Sequence, residues 1–316
     1  MISSRPDGTV PDVSFILPVY NKATALPYFF ASLLAQQGKF SREVIFIDDA
    51  STDASRSVLD SLAAKHDFVR VIANDANAGP AIRLNQGAAQ AQGKYLALFD
   101  CDELLAPDAI AVMLDLAHDH DADMVHGRGR KTDTPIEQAK AGMIGNDIDV
   151  KTFDDALGRI LGRGMVRMTW LVERVLFERA GGCDPDVFIQ DESLPLRLSL
   201  HARRMIDAKM IVTAIPDAGS HLSANKMQQH HDRFLTYANF LRTHPEIAPD
   251  KRRKIFGKCI SAARKAKRDG APFNKSDLEL RYLAHKIGFG RNDPADLSRF
   301  ASVFQNLSGI RRPAKP

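Results

Sequence analysis

Residues 94–107, KYLALFDCDELLAP, carry a short apolar stretch straight into Asp100, Cys101, Asp102 and Glu103. Three carboxylates in four positions repel one another, so their place at the end of an apolar strand calls for a positive charge to offset them. Asp100 and Asp102 have i, i+2 spacing, and both side chains reach one point beyond the strand. Hard oxygen ligands of this kind suit Mg²⁺ or Mn²⁺, which keep several waters and take further ligands from substrate phosphates. A solvated loop, or a helix N-terminal cap leading to Pro107, uses the same residues without a metal. On the D-x-D alone both readings stand.

The elements that must position these residues are legible around them. VSFILPV (13–19), EVIFIDD (43–49), FVRVIAN (68–74) and YLALFD (95–100) are continuous apolar runs and read as strands. Helices are expected between them: ATALPYFFASLLAQQG, with Leu26, Phe29, Phe30, Leu33 and Leu34 at helical spacing; STDASRSVLDSLAAKH, opened by capping residues; GPAIRLNQGAAQAQG; and a fourth starting at Pro107. Strands that are apolar throughout, alternating with helices, imply a parallel sheet covered on both faces. Ligands of such sheets bind beyond the carboxyl ends of the strands. Tyr20 and Asn21, Asp48 and Asp49, Asn74 and Asn77, and Asp100 and Asp102 all fall at those ends.

Beyond residue 120 the alternation loosens. ADMVHGRGR reads as a strand with solvated arginines, residues 131–151 as a surface loop, and Asp154–Asp155 as a helix start. MTWLVERVLFERAGG reads as strand, helix and Gly-Gly turn, QDESLPLRLSLHAR as a helix with Asp191 near its start, and MIVTAIPDAGSHLS as a strand leading to His221. From about 224 the pattern is helical, with His230 and His231 on a surface helix.

Composition bounds the class. The 316 residues are 44% hydrophobic and 26% charged, an ordinary globular balance. Three scattered cysteines, Cys101, Cys183 and Cys259, form neither a disulfide framework nor a zinc pattern, so a reducing, cytoplasmic setting is expected. The first residues lack the apolar core of a signal peptide, and no run of about 18 apolar residues exists to span a membrane. The net charge of +4 hides an asymmetry: residues 251–316 hold 17 Lys or Arg against 5 Asp or Glu, while 1–250 net −8. Two parts of such different sign are expected to meet different partners.

PVYNKATALP, VIFIDDASTD, NAGPAIRLNQGAAQAQGKYLALFDCDE and FIQDESLPLRL occur in that order, and the set resembles glycosyltransferase family 2 over about residues 11–225. The resemblance implies an α/β fold of GT-A type, a Rossmann-like, mostly parallel sheet flanked by helices. A flexible N-terminus (1–10) would precede that domain (11–225), and a basic helical region (226–316) would extend it. It implies a metal-dependent inverting transferase that uses a nucleoside-diphosphate sugar, a UDP-sugar first, and Mn²⁺ or Mg²⁺. The acceptor would be a hydroxyl of a glycan or lipid-linked molecule in bacterial envelope or exopolysaccharide synthesis.

Residue by residue, Pro18, Val19 and Tyr20 match the first strand end, where the base is held, with Tyr20 packing on it. Asp49 matches the second Asp of the D-D pair and would accept a base N–H, with Asp48 supporting its loop. Asp100 would lie near the ribose and diphosphate, Asp102 would hold the metal, and His221 matches a His near both. Asp191 matches the general base of inverting members. This chain departs from the pattern at Gln190, where Glu is frequent. It departs again at Glu103, where a third Asp is frequent, and at Arg83. That residue lies two positions before Asn85 instead of directly before it, and is taken as a nucleotide contact.

Other features stand open. Trp170 is either core or a ring that stacks on the acceptor, with Glu192 a second acceptor candidate. KRRKIFGKCISAARKAKR (251–268) carries nine Lys or Arg on a helix whose apolar strip would lie either on an anionic membrane surface or on the domain itself. Its single aromatic argues against nucleic acid. Three other functions compete. A catalytically silent sugar-nucleotide binder is suggested by Gln190. A receiver-like signalling domain is disfavoured because its acidic pair belongs on the first strand. Nucleotidyl transfer lacks a Gly-rich phosphate loop after that strand.

Overall fold

The computed structural model describes residues 10–145, 148–163, 167–217, 225–290 and 292–314. Its front half alternates as expected: β1 (Val13–Val19), α1 (Leu26–Leu34), β2 (Arg42–Asp48), α2 (Ser55–Lys65), β3 (Val69–Ala73), α3 (Pro80–Ala88) and β4 (Tyr95–Phe99). β3, β2, β1 and β4 lie side by side in parallel. The apolar runs are continuous because each strand is buried on both faces. Phe15, Leu17, Val44, Phe46, Ala97 and Phe99 pack on one side with α1, and Ile16, Ile45, Ile47, Leu96 and Leu98 on the other with α3.

The second half is β5 (Leu104–Leu105), α4 (Ala109–Asp119), β6 (Met124–Lys131), β7 (Val150–Phe153), α5 (Ala156–Arg163), β8 (Thr169–Glu173), α6 (Arg174–Arg179), α7 (Gln190–His201) and β9 (Met205–Ile215). Here the sheet turns mixed. β8 inserts antiparallel between β4 and β6, β6 runs parallel to β9, and β5 and β7 pair antiparallel with β9. β5 and β7 are too short to show a periodicity in the sequence. Asp155 does start α5, accepting the Gly158 amide at 3.0 Å.

Four helices follow: α8 (Lys226–Thr243), α9 (Pro249–Arg268), α10 (Lys275–Lys286) and α11 (Pro294–Gln305). Among the described residues no helix is long and apolar enough to cross a membrane. One open alternative is decided and two expectations are corrected. The apolar strip of 251–268 is not available to a lipid surface, because Ile255, Phe256, Cys259, Ile260, Ala263 and Ala266 are buried in the protein. His230 and His231 are buried, the first against Asp269 and the second against Asp232. Arg128 is not merely solvated: it pairs at 2.6 Å with buried Asp207.

Candidate active site

The ends of β1, β2 and β4 are fastened to one another. The Asp49 amide donates to the Val19 carbonyl at 2.8 Å, and the Cys101 thiol to the Pro18 carbonyl at 3.4 Å. Two non-glycine residues in left-handed conformation, Asn21 (φ 53°) and Ala50 (φ 60°), turn the chain at the first two strand ends. Such residues persist only where surrounding bonds hold them. The Asn21 Oδ1 accepts the Thr52 amide at 2.8 Å and the Asp53 amide at 3.3 Å, while its own amide donates to Ser51 Oγ at 3.0 Å. Of the three expected base-side residues, Val19 is buried and offers backbone, Pro18 is half-buried, and Tyr20 stands 40% exposed with its ring available.

Asp49 is held from within. Its Oδ1 accepts the Ala78 amide at 2.8 Å and Arg83 Nε at 2.6 Å, and its Oδ2 accepts the Gly79 amide at 2.9 Å. Those two amides belong to the start of α3, where a carboxylate also gains from the helix dipole. A carboxylate offers about four acceptor sites, so one remains on Oδ2. Arg83 is buried and its fork is occupied: Nη1 donates to Asn74 Oδ1 at 2.8 Å and Gln86 Oε1 at 3.0 Å, and Nη2 to the Ala76 carbonyl. The geometry gives Arg83 the work of fixing Asp49.

Beyond β4 the acidic cluster meets its counter-charge. Lys22 Nζ forms an ion pair with Asp102 Oδ2. Burial alone would lower the Lys22 ammonium, yet the Asp102 carboxylate holds it above the ordinary lysine value. Asp100 accepts from Gln190 Nε2 at 3.1 Å, and burial together with the Asp102 charge pushes its carboxyl up to about 7. Glu103 is buried and accepts the Thr213 hydroxyl at 2.6 Å. Burial, then the Asp100 charge, pushes it up to about 8. Asp191 lies in the first turn of α7. Burial, with Glu192 and Asp100 beside it, raises its carboxyl well above the ordinary value, and its Oδ1 has no hydrogen-bond partner among the described residues. The Arg167 guanidinium opposes this rise at Asp100, Glu103 and Asp191 alike.

This donor set suits a hard divalent cation in a limited way. One ammonium offsets three acidic side chains, and two of those are pushed toward their neutral forms for want of positive charge. Among the described residues no three acidic, His or Cys side chains are arranged as a complete metal cage. Asp102 therefore fits as a single protein ligand, with the rest to come from substrate oxygens and water.

Asp49, Asp100, Asp102 and Asp191 thus come together around adjoining strand ends and the start of α7. Two expectations fail. Trp170 is fully buried in β8, opposite Leu98 of β4 and His126 of β6, with the His126 ring tilted against it at 4.3 Å between centroids, so no ring face is open to an acceptor sugar. The Glu192 side chain is buried and bound by both sides of the Arg233 fork, at 2.7 and 3.1 Å, so its carboxylate is engaged in joining α7 to α8. His221 lies outside the described residues. Lys22 was missed, although its position in PVYNKATALP, after the strand that neighbours β4, is the signal that would have found it. Gln190, noted as a departure, becomes the link between α7 and Asp100.

A family model described as "Glycosyl transferase family 2" matches residues 14–174. The succinoglycan biosynthesis protein ExoO of Rhizobium meliloti is 36% identical over 108 residues, which cover 34% of this chain and 30% of that protein. The chain spans less than two thirds of the length of the curated relatives it first matches, 63% in one case and 30% in the other. Among solved structures, residues 1–349 of S. aureus TarS in complex with UDP-GlcNAc align with a TM-score of 0.58 at 13% identity, over 96% of this chain and 99% of that one. The mannosyltransferase PcManGT of Pyrobaculum calidifontis, in complex with GDP-Man and Mn²⁺, aligns with a TM-score of 0.57 at 18% identity, over 94% of this chain and 85% of that one.

Proposed function

This chain belongs to glycosyl transferase family 2, and we propose on that premise that it moves a sugar from a nucleoside diphosphate to an acceptor hydroxyl with inversion. The observation that carries the reading is the placement of Asp49, Asp100 and Asp102 at adjoining strand ends, with the raised carboxyl of Asp191 in the first turn of α7, whose Gln190 bonds Asp100. The Tyr20 ring packs on the base, and the remaining acceptor site of Asp49 Oδ2 takes a base N–H. A uracil N–H suits that single site, which favours a UDP-sugar. The complex of TarS with UDP-GlcNAc supports this choice, whereas GDP-Man in the mannosyltransferase keeps a guanine base open as the second reading.

Asp102 would hold the divalent ion, with His221 a second candidate ligand. When bound there, Mg²⁺ or Mn²⁺ supplies positive charge to the departing diphosphate. Lys22, paired with Asp102, is placed to meet the phosphate oxygens, and Asp100 orients the ribose. On the opposite face Asp191 takes the proton of the acceptor hydroxyl as its oxygen bonds to the anomeric carbon and the bond to phosphate breaks. The elevated affinity of Asp191 for a proton brings it nearer the working range of a base. The acceptor class is a glycan or lipid-linked hydroxyl, in keeping with the ExoO relative, a succinoglycan biosynthesis protein.

Thermal shift with a panel of sugar nucleotides, with and without Mn²⁺, followed by release of nucleoside diphosphate, tests the reading. Asp102→Ala should lose the Mn²⁺-dependent shift. Asp191→Asn should keep the shift and lose about 10²–10⁴ in rate. Turnover of Asp191→Asn at the wild-type rate would remove that residue as base, and binding with no turnover in the wild type would favour a silent sugar-nucleotide binder.

A further inference from the structure

The C-terminal helices bury their apolar strips with one exception. On α10, Leu280, Leu283 and Ile287 fall at i, i+3 and i+7, one helical face, and are 70%, 54% and 59% exposed. Phe289, just past the helix, is 83% exposed. The other side of α10 is already partnered. Leu278 is buried, Tyr282 lies under the Arg264 guanidinium at 4.5 Å, and His285 stacks on Phe256 of α9 at 5.1 Å. Large apolar side chains in one contiguous exposed row are uncommon on a protein that meets only water.

The charges around this row are one-sided. Asp277 and Asp296 are both taken by Arg281 and Arg299, and Glu279 by Arg264. Asp269 pairs with His230, and Asp293 caps α11. All five acidic residues of 251–316 are thereby engaged. Among the described residues Arg253 and Lys286 form no ion pair, and Arg253 reaches the turn at Gly288, between Ile287 and Phe289; exposed Lys254, next to Arg253 on α9, also acts on Asp155 at the start of α5. A second copy laid on this row would set one region of net +12 against another. A surface that is apolar within and negative at its face complements both features.

We propose that the exposed face of α10 and the turn after it dock on an anionic lipid bilayer. Leu280, Leu283, Ile287 and Phe289 enter the boundary between headgroups and acyl chains, while Arg253, Lys254 and Lys286 meet lipid phosphates. The inserting element is α10; α9 contributes charge alone, its apolar strip being spent on the protein core. This docking is independent of sugar transfer.

Sedimentation of the full chain with vesicles of phosphatidylcholine alone, or in equal parts with phosphatidylglycerol, tests it. The wild type should pellet with the anionic vesicles only, and added salt should release it. Ile287→Ser with Phe289→Ser should weaken binding by about tenfold per side chain. Lys254→Gln with Lys286→Gln should weaken it by roughly fivefold per charge. Both variants alter exposed positions, so their thermal midpoints should match the wild type. Three results would overturn the proposal: equal binding to neutral vesicles, no loss in Ile287→Ser with Phe289→Ser, or a concentration-dependent self-association that this variant abolishes, which would make a second copy the occupant.

Discussion

Two carboxylates withdrawn from water in this protein meet opposite fates, and their partners decide which. Burial by itself would raise Asp207. Hydrogen bonds from His126, Arg159 and Arg128 instead hold it well below the usual carboxylate range. Asp191 faces Glu192 and Asp100, and among the described residues no donor reaches its Oδ1, so burial prevails and its affinity for a proton rises. The first arrangement joins β6, β9 and α5; the second leaves a carboxyl with appetite for a proton. The native value of Asp207 lies below that of the unfolded chain, so on acidification the unfolded state takes the proton first. The stability it contributes is therefore complete above about pH 5 and is lost from about pH 4 downward. Asp207→Asn should cost about 3 kcal/mol at pH 7, since it leaves Arg128 and Arg159 around a neutral amide. Its loss of stability on acidification should also be shallower. Urea unfolding of both proteins at pH 7 and in the acid range checks this, and an acid limb as steep as the wild type's would assign the effect elsewhere.

At the scale of elements, the site depends on two helix starts brought face to face. α3 begins at Gly79, whose φ of 89° belongs to the region that disfavours side chains, and whose amide is a donor to Asp49. A Cβ built there would come within 2.6 Å of the Phe188 ring, which stands two residues before Gln190 at the start of α7. Gly79→Ala should therefore strain the backbone by about 1–2 kcal/mol and overpack Phe188 by about 1–3 kcal/mol. Displacing Phe188 disturbs the Gln190 contact to Asp100, so sugar-nucleotide affinity should fall along with the thermal midpoint. A destabilised variant with wild-type affinity would show that the two helix starts act separately. The strands and helices feeding these starts were legible because apolar runs and turn residues are local signals. What escaped was the partnership of Lys22 with Asp102, 80 positions apart, and of Gln190 with Asp100, 90 apart. Trp170 stayed open between core and acceptor for a related reason: whether a ring is core depends on the strands beside it, and β8 enters the sheet between neighbours distant in sequence.

At the scale of the whole molecule, the basic helices are not an appendage. One apolar cluster runs from Ile16, Leu96 and Trp170 in the sheet, through Leu194 of α7 and Phe234 of α8, to Phe256, Phe300 and Phe304. The expected division near residue 225 marks a change of charge and of secondary structure, while the core passes across it. The aromatic centre of the helical part is Phe304, fully buried, stacked on Phe234 at 4.7 Å and edge-on to Phe273 at 5.2 Å. Removing that ring should cost about 3–5 kcal/mol through lost burial and the cavity left behind. Because the cluster is continuous, Phe304→Ala should move the unfolding of the whole chain and not of the last helices alone. Trp170 makes the test possible: it is the only tryptophan and is buried in the sheet, so its fluorescence reports the sheet while far-ultraviolet circular dichroism reports every helix. Both signals should shift together to lower urea in Phe304→Ala, as two-state unfolding requires. Helical signal lost before any change at Trp170 would instead make 226–316 a separately melting unit, and the continuity of the core would then carry no cooperative weight.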